Sequence, residues 1–519
     1  MSLPPDGRIL VPETTDQFLW IVIAGVFGSF IAAFGIGAND VANAFATSVG
    51  SKAVTLRQAI VLAGIFEFLG AFLLGTHVTK AIRESIADDE CFADNPGILM
   101  YGMMCVLYTT GSWLILASYL ELPVSTTHST IGSIVGMVVA YGGTDCVVWM
   151  QGTDEFPYME GMVAIVASWV ISPVFSGIVS FLLFLTVRTY ILRSPRAFER
   201  SFWVYPILVM FTIAVNVFFF VYKGAQSLDL HKTSAITAAT WALGLGGGFA
   251  LLVIPTALPI MKKNVIRIYN EDGTLKVQQS VQPKIRSDAR GGGIGAYINR
   301  HLDYDVHASA KESEYVANIH DRAEKFDPRA EEVFKYVQVV TAVCDSFAHG
   351  ANNVANAIGP LETIYIIYID GVVKEGSDLG GPGFLILALG GVGIVLGLAL
   401  FGYKIISAIG IKIAKITPSR GFSIELGAAL MVIIGTRLRL PLSTTHCQVG
   451  ATAGVALLEG AGGLNSRVII RTLVGWLVTV VICGFSCALL FSQGAYAPNA
   501  FDRLDPEVLA DLMDSADSE

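Results

Sequence analysis

The sequence predicts an all-α, polytopic membrane protein of about twelve transmembrane helices in two inverted repeats, with broken helices and re-entrant hairpins. Three observations predict it: a shortage of charge, apolar runs of bilayer-spanning length, and polar motifs that occur twice. Of 519 residues, 53% are hydrophobic, 15% are charged and 53 are glycine, whereas soluble proteins carry about 25% charged residues. The apolar residues come in runs of about 20, as a membrane-crossing α-helix requires, and not in the short alternating segments of a barrel.

Taken in order, the runs place spans at 18–36, 58–77, 98–120, 131–150, 161–187, 202–222 and 235–261. A polar, charge-balanced stretch at 262–335 contains Gly291-Gly292-Gly293 and reads as a partly ordered loop, not a catalytic domain. Spans resume at 336–368, 383–402, 421–437, 446–460 and 468–493. The expected organisation is an exterior N-terminus (1–17), a first membrane half (18–261), a cytoplasmic loop (262–335), a second membrane half (336–493) and an acidic exterior tail (494–519).

Basic residues set that orientation. Lys52 and Arg57 follow the first span, Arg188, Arg193, Arg196 and Arg200 the fifth, and Lys404, Lys412, Lys415 and Arg420 the ninth. The loop at 141–160 holds four acids and no Lys or Arg. The positive-inside rule then puts the loops after odd-numbered spans in the cytoplasm. The N-terminus has acids and a single Arg8, unlike a basic signal or transit peptide, so the first span is expected to be retained. Net charge is −9, which disfavours nucleic acid as a partner. Cys105, Cys344, Cys447, Cys483 and Cys487 fall in apolar segments; Cys91 and Cys146 fall in exterior loops where pairing is open and free thiols are the favoured reading.

The repeat is explicit. Gly37-Ala38-Asn39-Asp40-Val41-Ala42-Asn43-Ala44 returns as Gly350-Ala351-Asn352-Asn353-Val354-Ala355-Asn356-Ala357, and Pro123-Val124-Ser125-Thr126-Thr127-His128 returns as Pro441-Leu442-Ser443-Thr444-Thr445-His446. A looser match relates Trp169, Ser172, Val174 and Gly177 to Trp476, Thr479, Val481 and Gly484. The offsets are 313, 318 and 307 residues, in colinear order. Seven spans separate the copies, and an odd number turns the second half upside down, a recurring plan among transporters.

Each motif has a chemistry. Asn39, Asp40 and Asn43 place side-chain oxygens within an apolar run, and a carboxylate at a helix centre costs about 2.5–3.5 kcal/mol unless paired, hydrated or ion-bound. Gly37 and Gly350 allow a break that frees backbone carbonyls; such oxygens suit a hard cation like sodium. The alternative is helix packing through small residues with Asn hydrogen bonds. In the second motif, Pro favours a helix start, Ser125 or Ser443 can cap it, and Thr126, Thr127, Thr444 and Thr445 lie beside free N–H groups at the positive helix end. That arrangement suits an anion without a buried Lys or Arg; the alternative is a plain N-cap inside a bundle. His128 and His446 read as hydrogen-bonded structural residues, with a proton carrier as the alternative; a Ser/His nucleophile is disfavoured because no orienting acid lies nearby in sequence. Glu67 and Glu425 sit in apolar spans and are functional candidates, with a cytoplasmic-edge salt bridge as the alternative. Trp169 and Trp476 read as packing.

These residues resemble the inorganic phosphate transporter (PiT) family of sodium- or proton-coupled phosphate symporters. The likeness lies in 37–45, in 347–360, in both Ser-Thr-Thr-His stretches and in Ser168-Trp169-Val170-Ile171-Ser172-Pro173, and covers both membrane halves. It implies phosphate at Ser125, Thr126, Thr127, Ser443, Thr444 and Thr445, and sodium held or framed by Asn39, Asp40, Asn43, Asn352 and Asn356. It also implies transport-associated carboxylates at Glu67 and Glu425, and two sodium ions per phosphate. Asn353 belongs to the same sodium motif, but the family usually has Asp there, which leaves the second cation and the choice between Na+ and H+ open. No cofactor is expected; phosphate and Na+ are cargo. The expected setting is the plasma membrane, with an organellar membrane and a homodimer left open. A sulfate or arsenate transporter, or a phosphate sensor using the 262–335 loop, are the competing readings; an enzyme lacks a metal or nucleophile constellation.

Overall fold

The structure, a computed structural model, describes residues 16–74, 86–153, 158–222, 233–276, 301, 304–308, 313–371, 373, 380–437 and 442–496. The first half comprises α1 (Leu19–Asn39), α2 (Ala42–Gly50), α3 (Leu56–Leu74), α4 (Pro96–Tyr119), α5 (Thr126–Gly142), α6 (Met162–Val187), α7 (Ala197–Val221) and α8 (Ala235–Ile268). A short α9 (Glu314–Arg322) precedes α10 (Pro328–Asp370), α11 (Gly380–Gly410), α12 (Pro418–Arg437), α13 (Thr444–Leu457) and α14 (Ser466–Tyr496). Among the described residues, a two-residue antiparallel ladder, Gln151–Gly152 with Met159–Glu160, and three isolated β-bridges lie outside the helices.

Contacts at the helix ends distinguish two faces. On one, Ala87 bridges to Val147, Asp88 N donates to the Cys146 carbonyl at 3.0 Å, and the Tyr496 hydroxyl donates to the Ala140 carbonyl at 2.8 Å. On the other, Arg188 and Arg193 clasp Glu324, Arg420 pairs with Glu459, and Lys412 pairs with Glu121. Among the described residues, α1 with α2, then α3 to α8, then α10 to α14 make twelve long helical segments. Among the described residues, eight of them are long and apolar enough to cross a membrane unaided. The remaining four are α5, α10, α12 and α13, which carry the Ser-Thr-Thr-His stretches, the second Asn motif and Glu425. α5 and α13, of 17 and 14 residues, start part-way across at the hairpin tips and are short, whereas polar and charged residues inside the bundle lower the hydrophobicity of α10 and α12.

Several expectations are corrected. Cys91 and Cys146 form a disulfide with Cα atoms 5.9 Å apart, because the Ala87–Val147 bridge brings the two loops together. The span expected at 131–150 is α5 at Thr126–Gly142: its start is fixed by the Ser125 cap and its end by Gly143, at φ +77°. The polar stretch is shorter than 262–335, since α8 runs on to Ile268 and α10 begins at Pro328 under an Asp327 cap.

The helix break occurs in one copy only. It falls at Asp40–Val41, between α1 and α2, whereas α10 runs unbroken through Gly350. Gly37 and Gly350 serve close approach instead: a Cβ on Gly37 would lie 1.8 Å from the Ile394 carbonyl oxygen, and one on Gly350 would lie 2.3 Å from that of Glu67. These contacts are repeat-related and cross between repeats. α1 lies on α11 and α10 on α3; likewise α5 lies on α14 and α13 on α6. Each half therefore completes the other's core.

Candidate functional site

The local sequence builds the two hairpins as their chemistry suggests. The Ser125 hydroxyl accepts from His128 N at 3.2 Å and opens α5; the Ser443 hydroxyl accepts from His446 N at 3.3 Å and opens α13. The helix starts meet tip to tip. Thr127 Oγ1 donates to the Leu442 carbonyl at 3.4 Å, and its counterpart Thr445 Oγ1 lies 3.2 Å from the Val124 carbonyl. Behind the tips, the His128 ring sits 4.1 Å from Trp169, His446 sits 3.6 Å from Trp476, and the two histidine rings are 4.4 Å apart. The tryptophans pack as expected, and they position the histidines.

Asp40 lies at the meeting point. Its Oδ1 accepts from Asn43 Nδ2 at 2.7 Å, Thr444 Oγ1 at 3.0 Å and Thr445 Oγ1 at 2.6 Å. Its Oδ2 accepts from Thr126 Oγ1 at 2.8 Å and Asn353 Nδ2 at 3.0 Å. A carboxylate with five short donors is well stabilised in a dry interior. The donors come from both hairpins and from both copies of the Asn motif, so the structure gathers these predicted residues into one site. The Oδ1 atoms of Asn43 and Asn356, equivalent in the repeat, are buried without a hydrogen-bond partner among the described residues.

Asn39 does something different. Its Nδ2 donates to Ser118 Oγ at 3.1 Å and the Leu122 carbonyl at 2.9 Å, while its Oδ1 accepts from Val124 N at 3.0 Å. Its amide thus fastens the turn between α4 and α5, framing the site. Asn352 Nδ2 lies 3.3 Å from Asn353 Oδ1.

The two glutamates separate. Glu67 lies beside the site: its carboxylate accepts from Ser346 Oγ at 3.1 Å and stands 3.1 Å from His349 Nδ1. The far ring nitrogen of His349 lies 2.6 Å from Asn353 Nδ2 and 3.8 Å from Asp40 Oδ1, so this histidine stands between the two carboxylates. Glu425 occupies a second pocket. Its Oε1 accepts from Thr47 Oγ1 at 2.5 Å, Ser48 Oγ at 2.7 Å and Gln338 Nε2 at 3.1 Å, and its Oε2 from Thr341 Oγ1 at 2.8 Å. Both carboxylates are fully buried, so the edge salt bridge with Lys or Arg does not describe them.

Known proteins share this architecture. The phosphate transporter family matches residues 36–487. The chain belongs to that family. A phosphate-repressible phosphate permease, pho-4, of Neurospora crassa is 30% identical, covering 93% of this chain and 98% of its own length. A chloroplastic inorganic phosphate transporter of Arabidopsis thaliana is 34% identical over 90% of this chain and 70% of its own length. Among solved structures, a sodium-dependent phosphate transporter is similar with a TM-score of 0.70 and 31% identity, covering 91% of this chain and 98% of that one.

Sequence reasoning missed several of this family member's site residues. His349 stands in the 347–360 stretch, yet its position between the carboxylates depends on α3 bringing Glu67 alongside α10. Thr47, Ser48, Gln338 and Thr341 carry no motif at all; only the packing of α2 and α10 on α12 places them around Glu425. Gln338 and Thr341, one turn apart and continued at helical spacing by Asp345 and His349, are the local signal.

Proposed function

We propose that the chain carries inorganic phosphate across a membrane in symport with cations, by alternating access of two inverted repeats about the hairpin junction. The observation that carries this reading is the convergence of Thr126, Thr444 and Thr445 on Asp40 from two opposed helix N-termini. Hydroxyls and free N–H groups at such termini are a phosphate-type cradle. Ser125 and Thr127 complete the first half of it, Ser443 the second.

Asp40 explains why cations are needed. Phosphate and the Asp40 carboxylate compete for the same hydroxyls, and two unit charges 4 Å apart repel by about 4 kcal/mol at an effective dielectric of 20. A cation between them removes that repulsion and releases the threonines to the substrate. Asp40, Asn43 and Asn356 supply oxygens for it, framed by Asn39, Asn352 and Asn353, a hard-oxygen set that suits Na+. Asn353 in place of a second carboxylate makes the site one negative charge poorer, so one cation held at Asp40 is an alternative to two sodium ions. Glu67 and Glu425 are the transport-associated carboxylates, the latter as a second cation station. Moving one negative charge inward against 100 mV costs about 2.3 kcal/mol, which coupled cations offset.

The cysteine bridge, a bond of oxidising compartments, supports placing the Cys91–Cys146 face outside and the Arg188–Arg193 face in the cytoplasm, with the plasma membrane as the setting. Radiolabelled phosphate uptake into proteoliposomes under separately imposed Na+ and H+ gradients tests the proposal. Uptake driven by the Na+ gradient is expected; none under either gradient would sink it.

A further inference from the structure

Asp345 is a buried acid that neither the Asp40 junction nor the Glu425 cage uses. It lies on α10, one turn before His349, and is 8% exposed. Among the described residues its side chain makes no hydrogen bond and no ion pair, although it is within electrostatic reach of Glu67 and His349. A carboxylate in a dry interior is ordinarily paired, hydrated or ion-bound. Neither neighbour supplies the missing positive charge. Asn353 Nδ2 donates to His349 Nε2 at 2.6 Å, which leaves the ring proton on Nδ1, facing Glu67 at 3.1 Å, and the imidazole neutral. Asp345 also belongs to a stripe. Gln338, Thr341, Asp345, His349 and Asn353 follow at three- and four-residue spacing, so they share one face of α10, and all five are buried. The stripe starts at Glu425, held by Gln338 and Thr341, and ends at Asp40, held by Asn353. At about 1.5 Å per residue it spans about 22 Å. It leads from the hairpin junction towards the face where Arg188 and Arg193 clasp Glu324.

The first repeat does without this stripe. At the same 313-residue offset its positions are Gly25, Gly28, Ala32, Ile36 and Asp40, of which the last alone is polar. The duplicated scaffold therefore packs with small and apolar side chains there, and the polar ones at 338–349 are an addition made in one copy. We infer that Asp345 and Glu67 form a further cation station, midway along α10 between the junction at Asp40 and the cage at Glu425, for a hard monovalent cation such as Na+. This station deepens the symport proposed above, on which it rests, by giving the cation its route to the cytoplasmic face. Two carboxylates and the Ser346 hydroxyl, which donates to Glu67 at 3.1 Å, make an oxygen set of the kind that suits Na+. A cation between Asp345 and Glu67 offsets the burial of both. An anion would add to their repulsion, and among the described residues no Lys or Arg pairs with either acid.

Equilibrium binding of radioactive sodium to the full purified chain in detergent, paired with melting in NaCl and in choline chloride of equal ionic strength, reads the station without transport. Asp345→Asn should bind about one ion fewer per chain, and its melting temperature should rise less with Na+ than that of wild type. In choline chloride it should melt above wild type, because an uncompensated buried carboxylate has been removed. Asp345→Glu should keep the ion. Asp345→Ala, which installs the side chain of the repeat counterpart Ala32, should match Asp345→Asn and serves if the amide variant fails to fold. An undiminished sodium count in Asp345→Asn and Asp345→Ala would overturn the station and leave the symport standing. Lower melting of both variants in both salts, with the sodium count intact, would mark a purely structural acid and overturn it as well. Wild-type protein that binds no sodium would overturn the station together with the sodium reading on which it rests.

Discussion

At Asp40, five donors from five different side chains meet one carboxylate, and the charge of the whole junction turns on that residue. Asp40→Asn keeps the shape but removes the anion that the cation must screen. Na+-driven phosphate uptake is expected to fall about ten- to a hundredfold, the weight of one or two charge-assisted hydrogen bonds, with monodispersity on size exclusion unchanged. Asn353→Asp sets a second carboxylate where an amide now donates to Asp40 Oδ2 at 3.0 Å. Two anions this close require an additional cation, so the Na+ dependence of uptake should steepen; an identical Na+ titration would remove position 353 from the coupling. The motifs and their duplication were legible in the sequence at this scale, and so was the cap role of Ser125 and Ser443. The ring of partners around Glu425 was not, because Gln338 lies 87 and Thr47 lies 378 residues from it in sequence and no local pattern links them to it.

Helices meet here through glycine. With Gly37 under the Ile394 carbonyl and Gly350 under that of Glu67, an added methyl group has backbone in its way and no flexible side chain to displace. Gly37→Ala and Gly350→Ala are each expected to destabilise by about 1–3 kcal/mol, read as a lower melting temperature in detergent, and Gly350→Ala should also shift Glu67 against His349. Outside the membrane, the segment between α9 and α10 is tied down by Glu324. Hydrogen bonding from Arg193, with Arg188 adding, holds its carboxyl below the ordinary value of 4.5 against a raising contribution from partial burial. The contribution of that contact is complete above the ordinary value and is lost as pH falls through the lowered one. The melting-temperature gap between wild type and Glu324→Gln should therefore be constant near neutrality and close only in strong acid. A gap that instead widened on acidification would contradict the contact.

Across the molecule, the repeats exchange their packing: α1 belongs with α11, α3 with α10, α5 with α14 and α6 with α13. Neither half can bury its own helix faces alone. Expressed separately, residues 1–288 and 289–519 should each aggregate or be degraded, whereas together they should co-purify and bind phosphate. A first half that is stable by itself would contradict the exchanged core. The same interlocking places Thr127 on the Leu442 carbonyl and Thr445 on that of Val124, so relative motion of the repeats must pass through the hairpin tips.

Composition, apolar run length and two pairs of motifs determined that this is an all-α membrane protein of the inverted-repeat kind, because bilayer thickness and duplication write themselves into local sequence. The tertiary structure decided the rest. Whether a glycine breaks a helix or admits a neighbour depends on what lies beside it, so α1 is interrupted after Asn39 while α10 continues through Gly350. Whether Cys91 meets Cys146 depends on two loops being laid side by side. Which polar side chains surround Asp40 and Glu425 depends on helices from opposite repeats being exchanged, a contact between distant parts of the chain that periodicity and spacing do not encode.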